Sequence, residues 1–361
     1  MTEQDLEREE RAVKQKKKDD AILEAEQRRN AMQNRYGKGG GRPDYSQFQT
    51  PGGAAAMGRG ASRPDYSQFQ TPAAPAAAEP LVGHLIVLRH GERLDYAERD
   101  MGNNWGASAE QPWDPPLTAA GLDQATKAGA RIAEVCGEHG ITLPSLVYTS
   151  PLQRCGQTVC QAAGALACGI SSMRIEAGLV ESAGEDWYRS WAVPGADSTW
   201  GGPEHSKVGV AVAESDLHPA ALQPAMSLYN SPESMEDKCA GCEPQLSVDR
   251  GYMQLGSMVM FNWSRMETEP ETCQRMKRTA EQLMQASQGG TLLVCTHGGP
   301  STFLFTGLTG EPEEAMGSPV GYTAFSIYKY SKAADNSVTW TKIVVNDVGH
   351  LGGEVLCGVT K

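Results

Sequence analysis

Two short apolar runs, each followed after one residue by a histidine, place the strongest constraint on how this chain can fold. Residues 85–88 (Leu-Ile-Val-Leu) lead to His90, and residues 292–295 (Leu-Leu-Val-Cys) lead to His297. Runs of this kind are typical of strands that are buried on both faces of a parallel sheet. We therefore expect both histidines at the carboxyl ends of such strands, where loops diverge and ligands bind.

Strand and helix signals alternate from residue 81 onward. Strands are predicted at 82–88, 145–149, 173–176, 291–296, 322–329 and 338–346, and helices at 118–137, 151–167, 247–264, 270–287 and 299–307. Interleaved strands and crossover helices indicate an α/β fold.

The chain divides into three parts by composition. Residues 1–36 are highly charged and have few large apolar side chains, which predicts a helical or disordered tail with no face to bury. Residues 37–80 are dominated by Gly, Ala, Pro, Ser and Gln and predict a linker. Residues 81–361 form the remaining domain, in which 182–246, rich in Gly, Pro and Trp, predict a long insertion.

The linker contains a perfect duplication. Residues 42–51 (Arg-Pro-Asp-Tyr-Ser-Gln-Phe-Gln-Thr-Pro) recur as residues 63–72. One interpretation is a neutral duplication within a disordered tail. The other is a docking motif whose second copy raises avidity through its Tyr and Phe anchors. Both stay open, and the second makes residues 1–80 a candidate binding segment for a protein partner.

The charge of the domain excludes several classes of partner. After residue 40 the chain carries 22 Lys and Arg against 35 Asp and Glu, a net charge of −13. Nucleic acids and anionic lipids are polyanions, so we expect neither nucleic acid nor membrane as a partner. No apolar run of about 18 residues and no secretory signal are present. These features predict a soluble, cytoplasmic protein.

The nine cysteines are an odd number, and several stand in apolar contexts that predict reduced, buried thiols. Cys239-Ala-Gly-Cys242 is the exception, because this spacing also occurs in zinc and redox sites. No second pair stands at a familiar spacing. We therefore predict no metal site and keep zinc or redox chemistry as the less favoured alternative.

Four segments, in this order, resemble the signature segments of the histidine phosphatase superfamily, which has the phosphoglycerate-mutase-like fold. They are residues 88–93 (Leu-Arg-His-Gly-Glu-Arg), 117–125 (Leu-Thr-Ala-Ala-Gly-Leu-Asp-Gln-Ala), 150–158 (Ser-Pro-Leu-Gln-Arg-Cys-Gly-Gln-Thr) and 295–299 (Cys-Thr-His-Gly-Gly). The resemblance covers roughly residues 81–350. It implies a three-layer α/β/α fold with a mostly parallel sheet.

The resemblance also implies the chemistry of the site. His90 would attack phosphorus and form a phosphohistidine that water later cleaves. Arg89 and Arg154 would bind phosphate oxygens through their planar forks, which lysine cannot do. His297 would donate to a further oxygen. With that many cationic donors, we expect neither a metal ion nor a cofactor.

Glu181 is the first candidate for the acid that protonates the leaving alcohol. Residues 174–181 resemble the family segment that carries this carboxyl group, and Glu185 is the second candidate. A partly buried position beside the phosphate would keep such a group protonated. A solvated loop carboxylate is the alternative for either residue.

Arg93, followed by Asp95, indicates a particular branch of the superfamily. Together with Trp187 and Trp191, this pattern looks like the branch of suppressor of T-cell receptor signalling phosphatases and ecdysteroid-phosphate phosphatase. Arg93 would then be a third phosphate-binding arginine, with a surface arginine as the alternative. Because nothing before residue 81 resembles the binding modules of that branch, phosphotyrosine is not carried over as the substrate.

Residues 182–246 are the expected lid or pocket wall. Trp187, Trp191 and Trp200 within them could form an aromatic floor for a leaving group or a small core of their own.

The expected function is hydrolysis of phosphomonoesters, with a phosphorylated small molecule or a phosphoprotein as the substrate. The alternative is a non-catalytic assembly protein that reuses the fold and is tethered by its N-terminal tail. A mutase is a third option, which Arg93 disfavours.

Overall fold

The computed structural model describes residues 80–181, 229–255, 268–353 and 355–356. The predicted tail, the duplicated motif, Glu185, the three tryptophans of the predicted insertion and most of that insertion lie outside these residues.

Within the described residues the chain forms seven strands and six α-helices. The strands are β1 (Leu81–Arg89), β2 (Leu146–Thr149), β3 (Ser172–Ile175), β4 (Ser247–Val248), β5 (Gly290–Thr296), β6 (Phe325–Lys332) and β7 (Val338–Asp347). The helices are α1 (Leu94–Asp100), α2 (Ala119–Glu138), α3 (Gln153–Leu166), α4 (Pro232–Lys238), α5 (Glu269–Ala286) and α6 (Gly298–Thr309). None of these helices is long and apolar enough to cross a membrane.

The strands form one sheet in the order β4-β3-β2-β5-β1-β6-β7. The five strands from β4 to β1 run parallel, and β6 and β7 are antiparallel at one edge. The prediction of a mostly parallel sheet is therefore confirmed. Arg89 of β1 pairs with Thr296 of β5, and the amide of His90 donates to the carbonyl of Thr296 at 3.0 Å. His90 and His297 consequently leave the sheet side by side.

Both faces of the sheet are covered by helices, which confirms the three-layer fold. On β1, Ile86 and Leu88 pack with α2 and α3, whereas Leu85 and Val87 pack with α5 and α6. These four side chains are at most 3 % exposed. Successive strand residues point to opposite faces, so only a continuous apolar run can serve both layers. Each such side chain contributes about 1.5–3 kcal/mol when fully buried.

The start of α2 is tied to the loop after β1. The Thr118 hydroxyl accepts a hydrogen bond from the Gly121 amide at 2.9 Å, which caps the helix. The same hydroxyl donates to the Glu92 carboxylate at 2.6 Å, and the Thr118 amide donates to the Glu92 carbonyl at 3.0 Å. The helix cap therefore also holds the residues that follow His90.

Two predicted elements differ from the structure. The strand predicted over 322–329 begins later, because β6 starts at Phe325. The helix expected over 247–264 is wrong for residues 247–255, where β4 pairs with β3 and no helix forms. There the backbone is used in tertiary contacts instead, since the Leu255 amide donates to the Glu176 carboxylate at 2.9 Å.

The described end of the predicted insertion, residues 229–246, belongs to the core. Met235 of α4, Cys239 and Leu246 lie in the same hydrophobic cluster as α2 and α3. Gly156 of α3 makes room for this contact, because a Cβ at that position would lie 2.4 Å from the Met235 sulfur. This segment therefore packs against α3, the helix that carries Arg154 in its first turn.

Candidate active site

The carboxyl ends of β1 and β5 bring two imidazoles together. The ring centroids of His90 and His297 are 5.2 Å apart, with an angle of 64° between the planes. His90 is 1 % exposed and His297 is fully buried. Burial, and then the positive charge of Arg154, lower the pKa of both rings well below the ordinary histidine value. Both imidazoles are therefore neutral at neutral pH.

A backbone carbonyl fixes the tautomer of His90. Its Nδ1 lies 2.7 Å from the Gly91 oxygen. A carbonyl oxygen can only accept, so Nδ1 carries the hydrogen and donates it. The neutral ring then has an unprotonated Nε2.

The loop that carries His90 is packed backbone to backbone against α2. A Cβ on Gly91 would lie 2.4 Å from the Gly121 oxygen. The Gly91 amide donates to the Thr158 hydroxyl of α3 at 3.0 Å, and the Glu92 amide donates to the Gln124 side chain of α2 at 3.0 Å. The Gly that follows the histidine is thus required by a close approach, and two helices hold the loop.

Arg89 lies beside His90 at the end of β1. Its Nη1 donates to the Val320 carbonyl at 2.6 Å, and its guanidinium lies over the Tyr322 ring, 4.5 Å from the centroid. Its Nε is buried and has no hydrogen-bond partner among the described residues.

Arg154, in the first turn of α3, is completely buried. Its Nη1 donates to the Trp113 carbonyl at 3.3 Å and lies 3.8 Å from the Asp114 carboxylate. Its Nε and Nη2 have no partner within the part of the chain that the structure describes. Buried donors are normally satisfied, so these two donor nitrogens are suited to an anion at the site.

Arg93 is also buried, so the alternative of a surface arginine is wrong. The residue is 2 % exposed and forms a two-point ion pair with Asp95. Its positive charge lowers the pKa of His90, after the larger effects of burial, Arg154 and Arg89. Arg93 thus belongs to the same group of charges as the other two arginines.

His297 contacts a hydroxyl on one side and a carboxylate on the other. Its Nε2 lies 2.8 Å from the Ser150 hydroxyl, and its Nδ1 lies 3.7 Å from the Glu181 carboxylate. Glu181 is 2 % exposed, so it is not a solvated loop charge. A Cβ on Gly299, in the first turn of α6, would lie 3.6 Å from its other oxygen.

The structure brings together Arg89, His90, Arg93, Arg154, Glu181 and His297, whereas Glu185, the second acid candidate, lies outside the described residues. Four of them, Arg89, His90, Arg93 and Glu181, line a pocket of about 610 Å³. Arg154 and His297 are fully buried. Burial, and then the positive charge of Arg154, lower the pKa of His297, so Arg154 lies close to the two imidazoles. The first turn of α6 and residues 313–320 form the remaining wall of the pocket.

Three supporting residues were missed from the sequence. Ser150 could have been predicted, because it directly follows β2 and therefore lies at the edge of the sheet where both histidines emerge. Asp114 accepts hydrogen bonds from the Gln153 amide and the Asn230 side chain. The sequence feature that could have drawn attention to it is the Trp-Asp-Pro-Pro run before α2. Tyr322, under Arg89, has no local signal in the sequence.

The cysteine pair that could have marked a metal site lies in the hydrophobic core. Cys239 and Cys242 are buried in the cluster that includes Cys160 of α3. Among residues 80–181, 229–255, 268–353 and 355–356, no three His, Cys, Asp or Glu side chains are arranged to hold a metal ion.

Several solved structures of known phosphatases and a mutase are similar to this chain. The ecdysone phosphate phosphatase from Bombix mori, solved with tungstate, is 18 % identical and covers 72 % of this chain and 92 % of its own, with a TM-score of 0.43. A mycobacterial glucosyl-3-phosphoglycerate phosphatase is 18 % identical, covering 73 % and 99 %, with a TM-score of 0.40. The phosphoglycerate mutase from Bacillus anthracis is 17 % identical, covering 75 % and 96 %, with a TM-score of 0.39. No curated protein sequence matches the chain significantly.

The sequence also matches a known protein family. The match to the histidine phosphatase superfamily (branch 1) extends over residues 85–193 and 253–343, which together exceed half of the chain. It includes both histidines and all three arginines of the site. The chain belongs to the histidine phosphatase superfamily.

Proposed function

We propose that this phosphatase hydrolyses phosphomonoesters through a phosphohistidine on Nε2 of His90, without a metal ion. The observation that carries the proposal is the hydrogen bond of 2.7 Å from His90 Nδ1 to the Gly91 carbonyl. It leaves a neutral, unprotonated Nε2 among three buried guanidinium groups.

Nucleophilic attack needs a neutral imidazole with a free electron pair. Burial and the neighbouring charges of Arg154, Arg89 and Arg93 lower the pKa of His90, which keeps the ring unprotonated. Nε2 forms a bond to phosphorus while the bond from phosphorus to the ester oxygen breaks. Water then attacks the phosphohistidine, the bond from phosphorus to nitrogen breaks, and inorganic phosphate leaves.

The arginines supply the positive charge that a phosphoryl dianion requires. Arg154 offers Nε and Nη2, and Arg89 offers Nε, each without a partner among the described residues. Fixed donors aimed at the charge that develops in the transition state are usually the largest contribution to catalysis. His297, neutral and in ring contact with His90, offers a further N–H. Three fixed cations make an additional metal cation unnecessary.

Glu181 is the group that we assign as the acid. Its carboxyl group is buried at the pocket wall, 3.7 Å from His297. In the first step it gives a proton to the departing alkoxide, and in the second it takes a proton from the attacking water. Glu185 stays the second candidate and lies outside the described residues.

The pocket is larger than a phosphate ion and leaves room for the alcohol part of the ester. Its wall combines Tyr96, Met316 and Val320 with the exposed carboxylates of Glu313 and Glu314. This arrangement supports a phosphorylated small molecule or a phosphorylated side chain as the substrate.

The test is a panel of phosphoesters, including p-nitrophenyl phosphate, assayed for phosphate release by the full chain. We expect His90→Ala to lower kcat by at least about a thousandfold. His139→Ala is the matched control, because this histidine is exposed at the end of α2. EDTA should have no effect, and a rapid quench should trap a phosphoenzyme that is labile to acid and absent from His90→Ala.

Other results would contradict the proposal. A folded wild-type protein that hydrolyses no member of the panel would favour the non-catalytic assembly protein. Transfer of phosphate to a second alcohol without release would favour a mutase. Loss of activity in EDTA that zinc or magnesium restores would contradict metal independence.

A further inference from the structure

Arg93 is fixed both at its backbone and at its guanidinium group. Its backbone pairs with Leu117 in an isolated bridge, and the next amide, of Leu94, donates to the Pro116 carbonyl at 2.9 Å. Both ends of the side chain are thereby constrained, because the guanidinium is bound as well. Arg93 Nε donates to Asp95 Oδ1 at 3.0 Å, and Nη2 donates to Oδ2 at 2.6 Å.

The orientation of the guanidinium follows from this geometry. Arginine presents its N–H groups along the edges of a plane, and a two-point contact with a carboxylate occupies one edge. Asp95 occupies the edge formed by Nε and Nη2. The Tyr96 ring lies against the plane, 4.1 Å from the guanidinium carbon. Nη1 and the second N–H of Nη2 are therefore the donors left for the pocket that Arg93 lines with His90.

Asp95 also offsets charge in the site. It is completely buried, and the Arg93 side chain is 3 % exposed. Burial lowers the pKa of Arg93, but the Asp95 carboxylate, together with Tyr96 and Tyr322, raises it above the ordinary arginine value. Three guanidinium groups surround His90, and an unpaired buried charge is strongly unfavourable. Asp95 thus allows Arg93 to stay charged in the interior.

We propose that Asp95 is a positioning residue for phosphate binding, which acts by holding Arg93 with Nη1 toward the phosphoryl oxygens. Asp95 itself touches no substrate. The inference rests on the proposed function, because it requires Arg93 to contact phosphate.

The experiment is a double-mutant cycle with Asp95→Asn, Arg93→Gln and the double variant in the full chain. Inhibition by inorganic phosphate and kcat/KM for p-nitrophenyl phosphate are measured for each. We expect Asp95→Asn to weaken phosphate inhibition and to lower kcat/KM about ten- to a hundredfold, as misplacement of a binding group does. In the Arg93→Gln background, Asp95→Asn should cost nothing more, since the group that it positions is gone.

Two further variants separate positioning from structure and from charge. Asp100→Asn is the matched control, because Asp100 lies on the same helix and is exposed. It should leave kcat/KM unchanged. Asp95→Glu keeps the charge but moves the carboxylate by one methylene, so we expect a folded protein that is destabilised by at most about 1–3 kcal/mol, as overpacking does, and has a lowered kcat/KM. This variant also provides the test if Asp95→Asn does not fold.

The outcomes that overturn this inference differ from those that overturn the proposed function. An inactive wild-type protein contradicts the proposed function. An active wild type in which Asp95→Asn costs the same factor with and without Arg93 contradicts positioning. Asp95→Glu with wild-type kcat/KM contradicts it too, because the carboxylate would then act by charge alone.

Discussion

The Ser150 hydroxyl lies 2.8 Å from Nε2 of His297, and both side chains are completely buried. Burial and Arg154 keep the pKa of His297 low, so the ring is neutral and carries one N–H. When Ser150 donates to Nε2, that N–H is on Nδ1, which lies toward Glu181. The hydroxyl can donate or accept, so the contact holds the His297 ring in place, and the tautomer in which Ser150 donates leaves an N–H on Nδ1 for a phosphoryl oxygen.

We predict that Ser150→Ala lowers kcat because Nε2 of His297 loses its hydroxyl partner and the ring is held less firmly. A loss of about tenfold is expected for one misdirected hydrogen bond to a developing charge. Ser301→Ala is the matched control, since the Ser301 hydroxyl is buried without a partner among the described residues. Steady-state kinetics with p-nitrophenyl phosphate check both variants. Wild-type kcat in Ser150→Ala would show that the hydroxyl does not control His297.

The second prediction concerns the glycine that follows His90. A Cβ at position 91 would meet the Gly121 oxygen at 2.4 Å, and both are backbone positions that cannot rotate away. We predict that Gly91→Ala destabilises the protein by about 1–3 kcal/mol, as overpacking does, and lowers activity by displacing His90. Urea unfolding and the phosphatase assay measure the two effects.

Gly137 provides the matched control on α2. A Cβ there would meet nothing within 4 Å, and the position is exposed near the end of the helix. Gly137→Ala should therefore stabilise the protein by about 0.4–1 kcal/mol and leave activity unchanged. If Gly91→Ala were equally harmless, the close approach of the loop to α2 would not matter.

Local sequence signals predicted most of the elements because the information that they need is local. The apolar runs of β1 and β5 and the start of α2 after Thr118 depend on residues that are adjacent in the chain. Residues 322–324 are an example in which local signals predict the wrong structure. They have strand-like side chains, but Thr323 adopts a positive φ of 54° and the Tyr322 amide bonds to Leu356, so the strand starts later.

The main residues of the candidate site could be predicted from the sequence. The groups that form hydrogen bonds and ion pairs with them could not. His90, His297 and Arg154 stand in short motifs at strand ends and at the start of a helix. Their orientation depends on groups distant in the chain, such as Val320, whose carbonyl binds Arg89 across 231 residues. Asp114 illustrates the same limit, because its two carboxylate oxygens contact Arg154 of α3 and Lys238 of α4, which are both distant from it in the chain.

The last prediction concerns pH and stability. The pKa of His90 and of His297 is lowered in the folded protein, first by burial and next by Arg154, whereas both titrate near 6.5 when unfolded. Below about pH 6.5 the unfolded chain therefore binds more protons than the folded one. This contribution to stability is fully present above pH 6.5 and falls as the pH decreases, by about 1.4 kcal/mol per pH unit for each histidine.

Urea unfolding at pH 7.5, 6.5 and 5.5 tests this dependence. His90→Gln removes one of the two buried groups, so its free energy of unfolding should fall less steeply below pH 6.5 than that of wild type. His139→Gln, which changes an exposed histidine, should keep the wild-type slope. Carboxylates titrate equally in all three proteins, so a difference in slope isolates the imidazole. An identical slope in His90→Gln would mean that His90 takes up a proton in the folded state as readily as in the unfolded one. Burial and the arginines would then fail to keep His90 neutral for nucleophilic attack.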